Sequence, residues 1–290
     1  MIPNEHPALI AEARKRLHEF LIDSSVLVID TNGIASNADK DNRLSREVAL
    51  AMAEELGAKE GRKLPGQGMG ALFEEAVAAF VLDTFPKLQK IRPGKWEVLK
   101  LGNRNPLKIS SYAQYEHLQY LEEVVRANRR LSAMIGNDYM VAPDIVVYRE
   151  LCSDEELNDP VRIVDGKTCT FADLREENGG GPILHASISA KWTIRSDRAQ
   201  NSRTEALNLI RNRKGSLPHI MIVTGEPVPS RLSSVALGTG DINCVYHIAL
   251  YELIAAVEDS DNEAAFDTLM TLVEGKRLKD ISDLPLDLAV

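Results

Sequence analysis

Between residues 183 and 192 apolar and polar side chains alternate. Leu184, Ala186, Ile188, Ala190 and Trp192 fall on one face, and His185, Ser187, Ser189 and Lys191 on the other. That period of two is the pattern of a strand with one side buried. Ser196 or Asp197 then offers an N-cap, so a helix is expected from there to about Arg213, ended by Gly215 and Pro218. Residues 219–224 (HIMIVT) form a second apolar strand. Strand, helix and strand in that order predict a right-handed crossover, and so an α/β fold with a central mixed sheet flanked by helices.

The rest of the chain reads mostly as helix. Residues 7–22 place Leu9, Ala13, Leu17 and Phe20 at helical spacing. Residues 44–57 look helical after a polar loop, TNGIASNADKDNR. The segment KLPGQGMG is expected to be a turn-rich loop, with a helix at about 71–84 after it. One long helix is expected over 113–134, and a short apolar strand over 145–148, introduced by Pro143 and Asp144. Helices at about 245–258 and 262–273 close the chain. No repeat, low-complexity tract or linker is visible, so residues 1–290 are expected to form a single domain.

Composition narrows the function. The 290 residues are 44% hydrophobic and 27% charged, ordinary for a soluble globular protein. No apolar run approaches a membrane span, and the N-terminus shows no secretory signal. Cys152, Cys169 and Cys244 form neither a disulfide framework nor a metal pair, so a reduced, cytoplasmic protein is expected. The net charge of −9 argues against a protein that coats nucleic acid without specificity. Residues 191–214 depart from that balance, with seven basic and two acidic side chains. Such a run is either a solvated helix face or a patch for an anionic partner.

Asp144 opens one strand and Lys191 lies on the polar face of another. Adjacent strands would bring them to one sheet edge, and phosphodiester hydrolysis uses that pair. A plain surface salt bridge would look the same in sequence. In residues 71–82, ten of twelve positions are apolar and the other two are Glu74 and Glu75. A helix so apolar is expected to be buried, and a carboxylate near a core needs a cation. One of the two can approach a metal, or sit at the solvent boundary. Glu205 can point back to the strand end, or pair with Arg198 or Arg203. The stretch Arg195-Ser196-Asp197-Arg198 offers guanine and cytosine readers, or an N-cap with two exposed arginines. Gly66, Gly68 and Gly70 lack the ending of a phosphate loop. The six histidines lack zinc-ligand spacing, and no GxSxG elbow is present.

The run HASISAKWTIRSDRAQNSRTEALNLIRNRKG, with VAPDIVVY upstream and GKRLKDISDLPLDLAV at the end, resembles the NgoMIV family of type II restriction endonucleases. That family belongs to the CCGG-recognising group of the PD-(D/E)xK nucleases. The resemblance covers nearly the whole chain, including SNAD at 36–39, LPGQ at 64–67 and PSRLSSVALGTG at 229–240; it is weakest at the N-terminus and over 151–182. It implies the restriction-endonuclease fold and Mg²⁺-dependent hydrolysis of double-stranded DNA at GCCGGC, cut as G^CCGGC to leave a 5′ overhang. It implies that Asp144 and Lys191 are catalytic, completed by Glu74 and Glu205. Ser189 stands where the simplest pattern has an acidic residue, a departure this group makes good from the helix, here with Glu205. Asp144, Glu74, Glu205 and the backbone carbonyl of Ala190 would face the metal. Arg195, Ser196, Asp197 and Arg198 would meet DNA in the major groove, Asp39 and Arg231 would read the outer base pair, and Gln67 would reach the minor groove. It also implies a homotetramer binding two DNA sites, with no nucleotide cofactor and no membrane. Two other readings are a DNA-binding module without activity and a repair or junction nuclease. The Asp144–Lys191 pair argues against the first, and Arg231 with the Arg195–Arg198 loop against the second.

Overall fold

A computed structural model describes residues 7–101, 106–135, 142–238 and 240–290. In chain order its helices are α1 (Leu9–Asp23), α2 (Arg43–Glu55), α3 (Gly66–Thr84), α4 (His117–Ala127), α5 (Arg129–Ile135), α6 (Asp154–Leu157), α7 (Ser196–Asn212), α8 (Pro229–Ala236), α9 (Leu250–Glu258), α10 (Glu263–Glu274) and α11 (Leu284–Asp287). The strands are β1 (Trp96–Lys100), β2 (Ile145–Arg149), β3 (Ile183–Lys191), β4 (His219–Thr224), β5 (Cys244–His247) and β6 (Leu278–Asp280). All six form one sheet in sequence order. The pairs β1–β2 and β2–β3 are antiparallel; β3–β4, β4–β5 and β5–β6 are parallel. This is the expected α/β fold, a central mixed sheet flanked by helices.

The strand patterns follow from position. In β3 the alternation holds, with Leu184, Ala186, Ile188 and Ala190 buried. Next to it, β4 is buried almost throughout and so reads as one apolar run. Helix α7 joins these two parallel neighbours, and Gly215 beyond it takes a left-handed φ of 77°. Below the functional edge, α3 packs on β1, β3 and α1. Its Phe73 is fully buried and meets Trp192 edge-on, ring centroids 5.1 Å apart. None of the described helices is long and apolar enough to cross a membrane.

Several expectations need correction. Helix α3 begins at Gly66, so GQGMG is its first turn and not a loop. The expected helix over 113–134 breaks at Asn128. That residue has an extended backbone, and its side chain accepts the N–H groups of Arg130 (3.0 Å) and Leu131 (3.2 Å), capping α5. Residues 245–247 are strand, because all four residues of β5 are buried between β4 and β6. The N-cap of α7 is Arg195, which gives no side-chain cap, rather than Ser196 or Asp197. The inward stripe of α1 is Ala13, Leu17, His18 and Leu21, while Leu9 and Phe20 are exposed. Strands β1 and β6 and helix α8 were not expected.

Replacing Phe73 with alanine leaves a cavity under Trp192. A loss of ~3–5 kcal/mol in unfolding free energy is expected. Urea denaturation checks it; a loss below about 1 kcal/mol would show that α3 is not anchored through this ring.

Candidate active site

The antiparallel register Ile145↔Ile188 puts Asp144, at the entry to β2, across from Ser189. Asp144 is buried, 2% exposed. Three donors from β3 converge on its Oδ2: Lys191 Nζ at 2.7 Å, the Ala190 N–H at 2.9 Å and Ser189 Oγ at 3.3 Å. The backbone carbonyl of Asp144 accepts from Leu101 N–H at 2.9 Å, which ties this point to the end of β1. A buried carboxylate is tolerated when charge and hydrogen bonds meet it in this way.

Two half-buried glutamates share the neighbourhood. Glu74 lies on α3, with Glu75 beside it exposed. Lys100 of β1 approaches Glu74 at 3.8 Å. Burial raises the Glu74 carboxyl above its usual range, Asp144 adds to this, and Lys100 and Lys191 oppose it. Glu205 sits on α7. Burial pushes it up to about 7 against the pull of Lys191, with Asp144 adding to the rise. It makes no ion pair with Arg203, whose guanidinium instead meets the carbonyls of Ser234 and Leu237 and lies 4.0 Å from Asp241.

These donors fit a hard divalent cation. They are the carboxylates of Asp144, Glu74 and Glu205, oxygen ligands without thiolate or imidazole. Burial, with the nearby Asp144 as a smaller contribution, raises both glutamate carboxyls, and a bound cation would favour their charged forms. Among the described residues, however, no three acidic, histidine or cysteine side chains form a closed cage. Phosphate oxygens and waters would have to complete the shell, the usual way Mg²⁺ is held.

Past Lys191 the chain enters a cleft of about 1200 Å³. Arg195, Arg203, Arg231, Lys40, Lys63 and Asp39 line it, among others. Arg195 is exposed at the mouth of α7. Arg231, on α8, donates to Asp39 Oδ2 and lies 3.8 Å from the buried carboxylate of Glu226. The Arg231 hydrogen bond holds the Asp39 carboxyl below its usual range. Of the residues singled out in sequence, Asp144, Ser189, Ala190 and Lys191 are in direct contact, with Glu74 and Glu205 close enough to act by charge. Asp39, Arg195 and Arg231 share the cleft. Gln67 does not line it and stands exposed on the first turn of α3. Ser196, Asp197 and Arg198 open α7, but their side chains lie outside the described part of the structure.

Sequence reasoning missed Lys100, Lys63 and Glu226. Lys100 ends a strand that alternates in burial but sets the lysine on the inner face and the apolar Leu99 on the exposed one, so the sequence WEVLK shows no apolar–polar alternation at that end. Lys63 lies in a segment without regular structure. Glu226 follows the apolar run of β4, where a charged residue ordinarily marks the end of a strand; that was the one available signal.

A mixed sheet with an aspartate and a lysine at one edge, next to a cleft lined by arginines, suits a protein that meets a phosphate backbone. The family follows from known proteins. The NgoMIV restriction enzyme model matches residues 17–290. The Type II restriction enzyme NgoMIV of Neisseria gonorrhoeae is 51% identical over 283 residues, covering 97% of this chain and 99% of that protein. The chain belongs to the NgoMIV restriction enzyme family. It also has a looser likeness to the solved restriction endonuclease PspGI–substrate DNA complex, with 14% identity, 99% of this chain and 94% of that one covered, and a TM-score of 0.30. That likeness is too loose to bear on the site.

Proposed function

We propose that this restriction enzyme hydrolyses phosphodiester bonds in double-stranded DNA at the palindrome GCCGGC, cutting after the first G to leave a 5′ overhang, with Mg²⁺ as cofactor. Residues 1–290 act as a single domain and assemble as a homotetramer on two DNA sites. The observation that supports the reading most is the cleft: Asp39, Arg195 and Arg231 line one groove that begins four residues beyond Lys191.

Asp144, Glu74, Glu205 and the Ala190 carbonyl would hold Mg²⁺. When bound, the ion would neutralise phosphate charge and make a water more acidic. Lys191 donates to Asp144 in the free enzyme at 2.7 Å. Facing a scissile phosphate, its ammonium can orient the attacking water and offset charge in the transition state. Ser189 keeps the Asp144 carboxylate aligned rather than supplying charge. Ahead of the catalytic edge, arginines match guanine O6 and N7 with two hydrogen bonds each, and aspartate accepts from cytosine N4. A half-site of three G·C pairs then suits Arg195, Arg198 and Arg231 with Asp197 and Asp39, while Ser196 can bond a phosphate or base edge and Gln67 can reach the minor groove.

Three outcomes test this. With plasmid DNA and Mg²⁺, sequenced ends should map to GCCGGC, and Lys191→Ala should lose cutting by at least ~10³-fold while specific binding remains. Cutting at the wild-type rate would remove Lys191 from the catalytic site. Arg231→Ala should relax the outer pair by ~10–100-fold and still require CCGG, measured at fixed salt; wild-type refusal of ACCGGT would remove Arg231 from base reading. Light scattering should give about four times the 32.0 kDa chain mass, as the family resemblance implies, and a stable monomer would reject the tetramer.

A further inference from the structure

The turn after β4 joins segments far apart in sequence. Gly225 donates its N–H to the Trp192 carbonyl at 3.2 Å. Its own carbonyl accepts from Asn37 Nδ2 at 2.8 Å, two residues before Asp39. The Glu226 carboxylate accepts the N–H of Ile194 at 2.8 Å, one residue before Arg195. It also accepts the N–H of Val228 at 3.1 Å, at the start of α8, and stands 3.8 Å from Arg231 Nη1. Thr224 Oγ1 fixes the Glu226 N–H at 3.2 Å. The turn is also tight: a Cβ at Gly225 would lie 2.8 Å from the Trp192 ring.

We propose that Glu226 is a positioning residue for base recognition, because through this turn the three segments that carry Asp39, Arg195 and Arg231 are held in one register. The proposal rests on the reading of those three as base readers. Glu226 touches no base itself. It is fully buried, and burial pushes its carboxyl up to about 7 against the two backbone N–H groups and Arg231. A carboxylate kept at that cost, bonded to the backbone beside one reader and near the guanidinium of another, links the inner-pair loop to the outer-pair helix. Glutamine at this position has one acceptor oxygen, so it must drop either the Ile194 or the Val228 N–H and with it the charge facing Arg231.

Single-turnover cleavage of three short duplexes, with GCCGGC, ACCGGT and GCATGC, distinguishes the outcomes. In E226Q, both the GCCGGC-to-ACCGGT and the GCCGGC-to-GCATGC rate ratios should narrow by ~10-fold, the scale of one misplaced bidentate contact. In R231A, only the first ratio should narrow. If R231A leaves that ratio unchanged, the base-reading assignment fails whatever E226Q does. If R231A behaves as expected but folded E226Q keeps both ratios, or slows all three duplexes equally, Glu226 only supports the fold and the proposal is overturned. Circular dichroism and thermal melting report whether E226Q folds. If it does not, N37A takes its place: it removes only the bond to Gly225 and should narrow the ACCGGT ratio alone, by a few-fold. An unchanged ratio in folded N37A overturns the proposal.

Discussion

The buried carboxylate of Asp144 is held in place by β3, which supplies an ammonium, a backbone N–H and a hydroxyl to one of its oxygens. Those three donors are consecutive in sequence, and they reach one atom only in the register that pairs Ile145 with Ile188. A slip of one residue would turn Ser189 and Lys191 to the apolar face and leave an uncompensated charge in the core. The Asp144–Lys191 edge therefore also fixes the sheet. It lies where β3 changes partner type, antiparallel to β2 on one side and parallel to β4 on the other. At such a place the entry of one strand and the exits of two others share an edge. Asp144, Lys191 and the turn at Gly225 and Glu226 are brought together by that topology.

Charge distribution separates the two tasks of this edge. The chain is acidic overall, with −9, yet in the cleft beyond β3 the five basic side chains of Arg195, Arg203, Arg231, Lys40 and Lys63 outnumber the three acidic ones of Asp30, Asp39 and Asp41. A basic groove in an acidic protein attracts DNA to one face and leaves the rest of the surface repelling it. Within the groove Arg231 is held by Asp39. On the proposed target both groups would exchange this one shared bond for bonds of their own to a G·C pair, so neither charge would be left without a partner. On a different outer pair, one of the two would enter the interface unpaired. A buried unpaired charge costs more than a lost neutral bond, so under that reading discrimination would come from the penalty on the wrong pair.

How much could be read in the sequence depends on where each signal lies. The unit β3–α7–β4 was legible because half-buried alternation, a helical run and a fully buried strand are each distinctive. Strands β5 and β6 were not: four and three residues are too short to show a period, and β5 runs straight into helix-like sequence. Asn128 looked like one more polar residue in a helix until its side chain was seen capping α5. Asp144 and Lys191 were legible as chemistry, but a salt bridge would have read alike. The roles of Asp39, Arg231 and Gln67 came from family resemblance, since no local pattern separates a base reader from a surface charge. Glu226 was invisible because its importance lies in two backbone N–H groups, 32 residues and 2 residues away in sequence.

That pattern of invisibility has a physical reason. Around the turn at Gly225, Asn37 Oδ1 and Trp192 Nε1 are buried without a hydrogen-bond partner among the described residues. Each such atom costs about 1–3 kcal/mol. A core selected for stability alone would place apolar groups there. Polar groups persist where another requirement outweighs stability, and such sites concentrate local rule-breaking. Here Asn37 spends its other polar atom on Gly225, and the Trp192 ring closes over the same residue. These unpaired atoms gather at a turn that ties the proposed reading segments together, ahead of the carboxylates that would do the cutting. An enzyme that breaks DNA needs those segments to agree before it acts, and a rigid buried turn keeps them in agreement better than independent surface loops can.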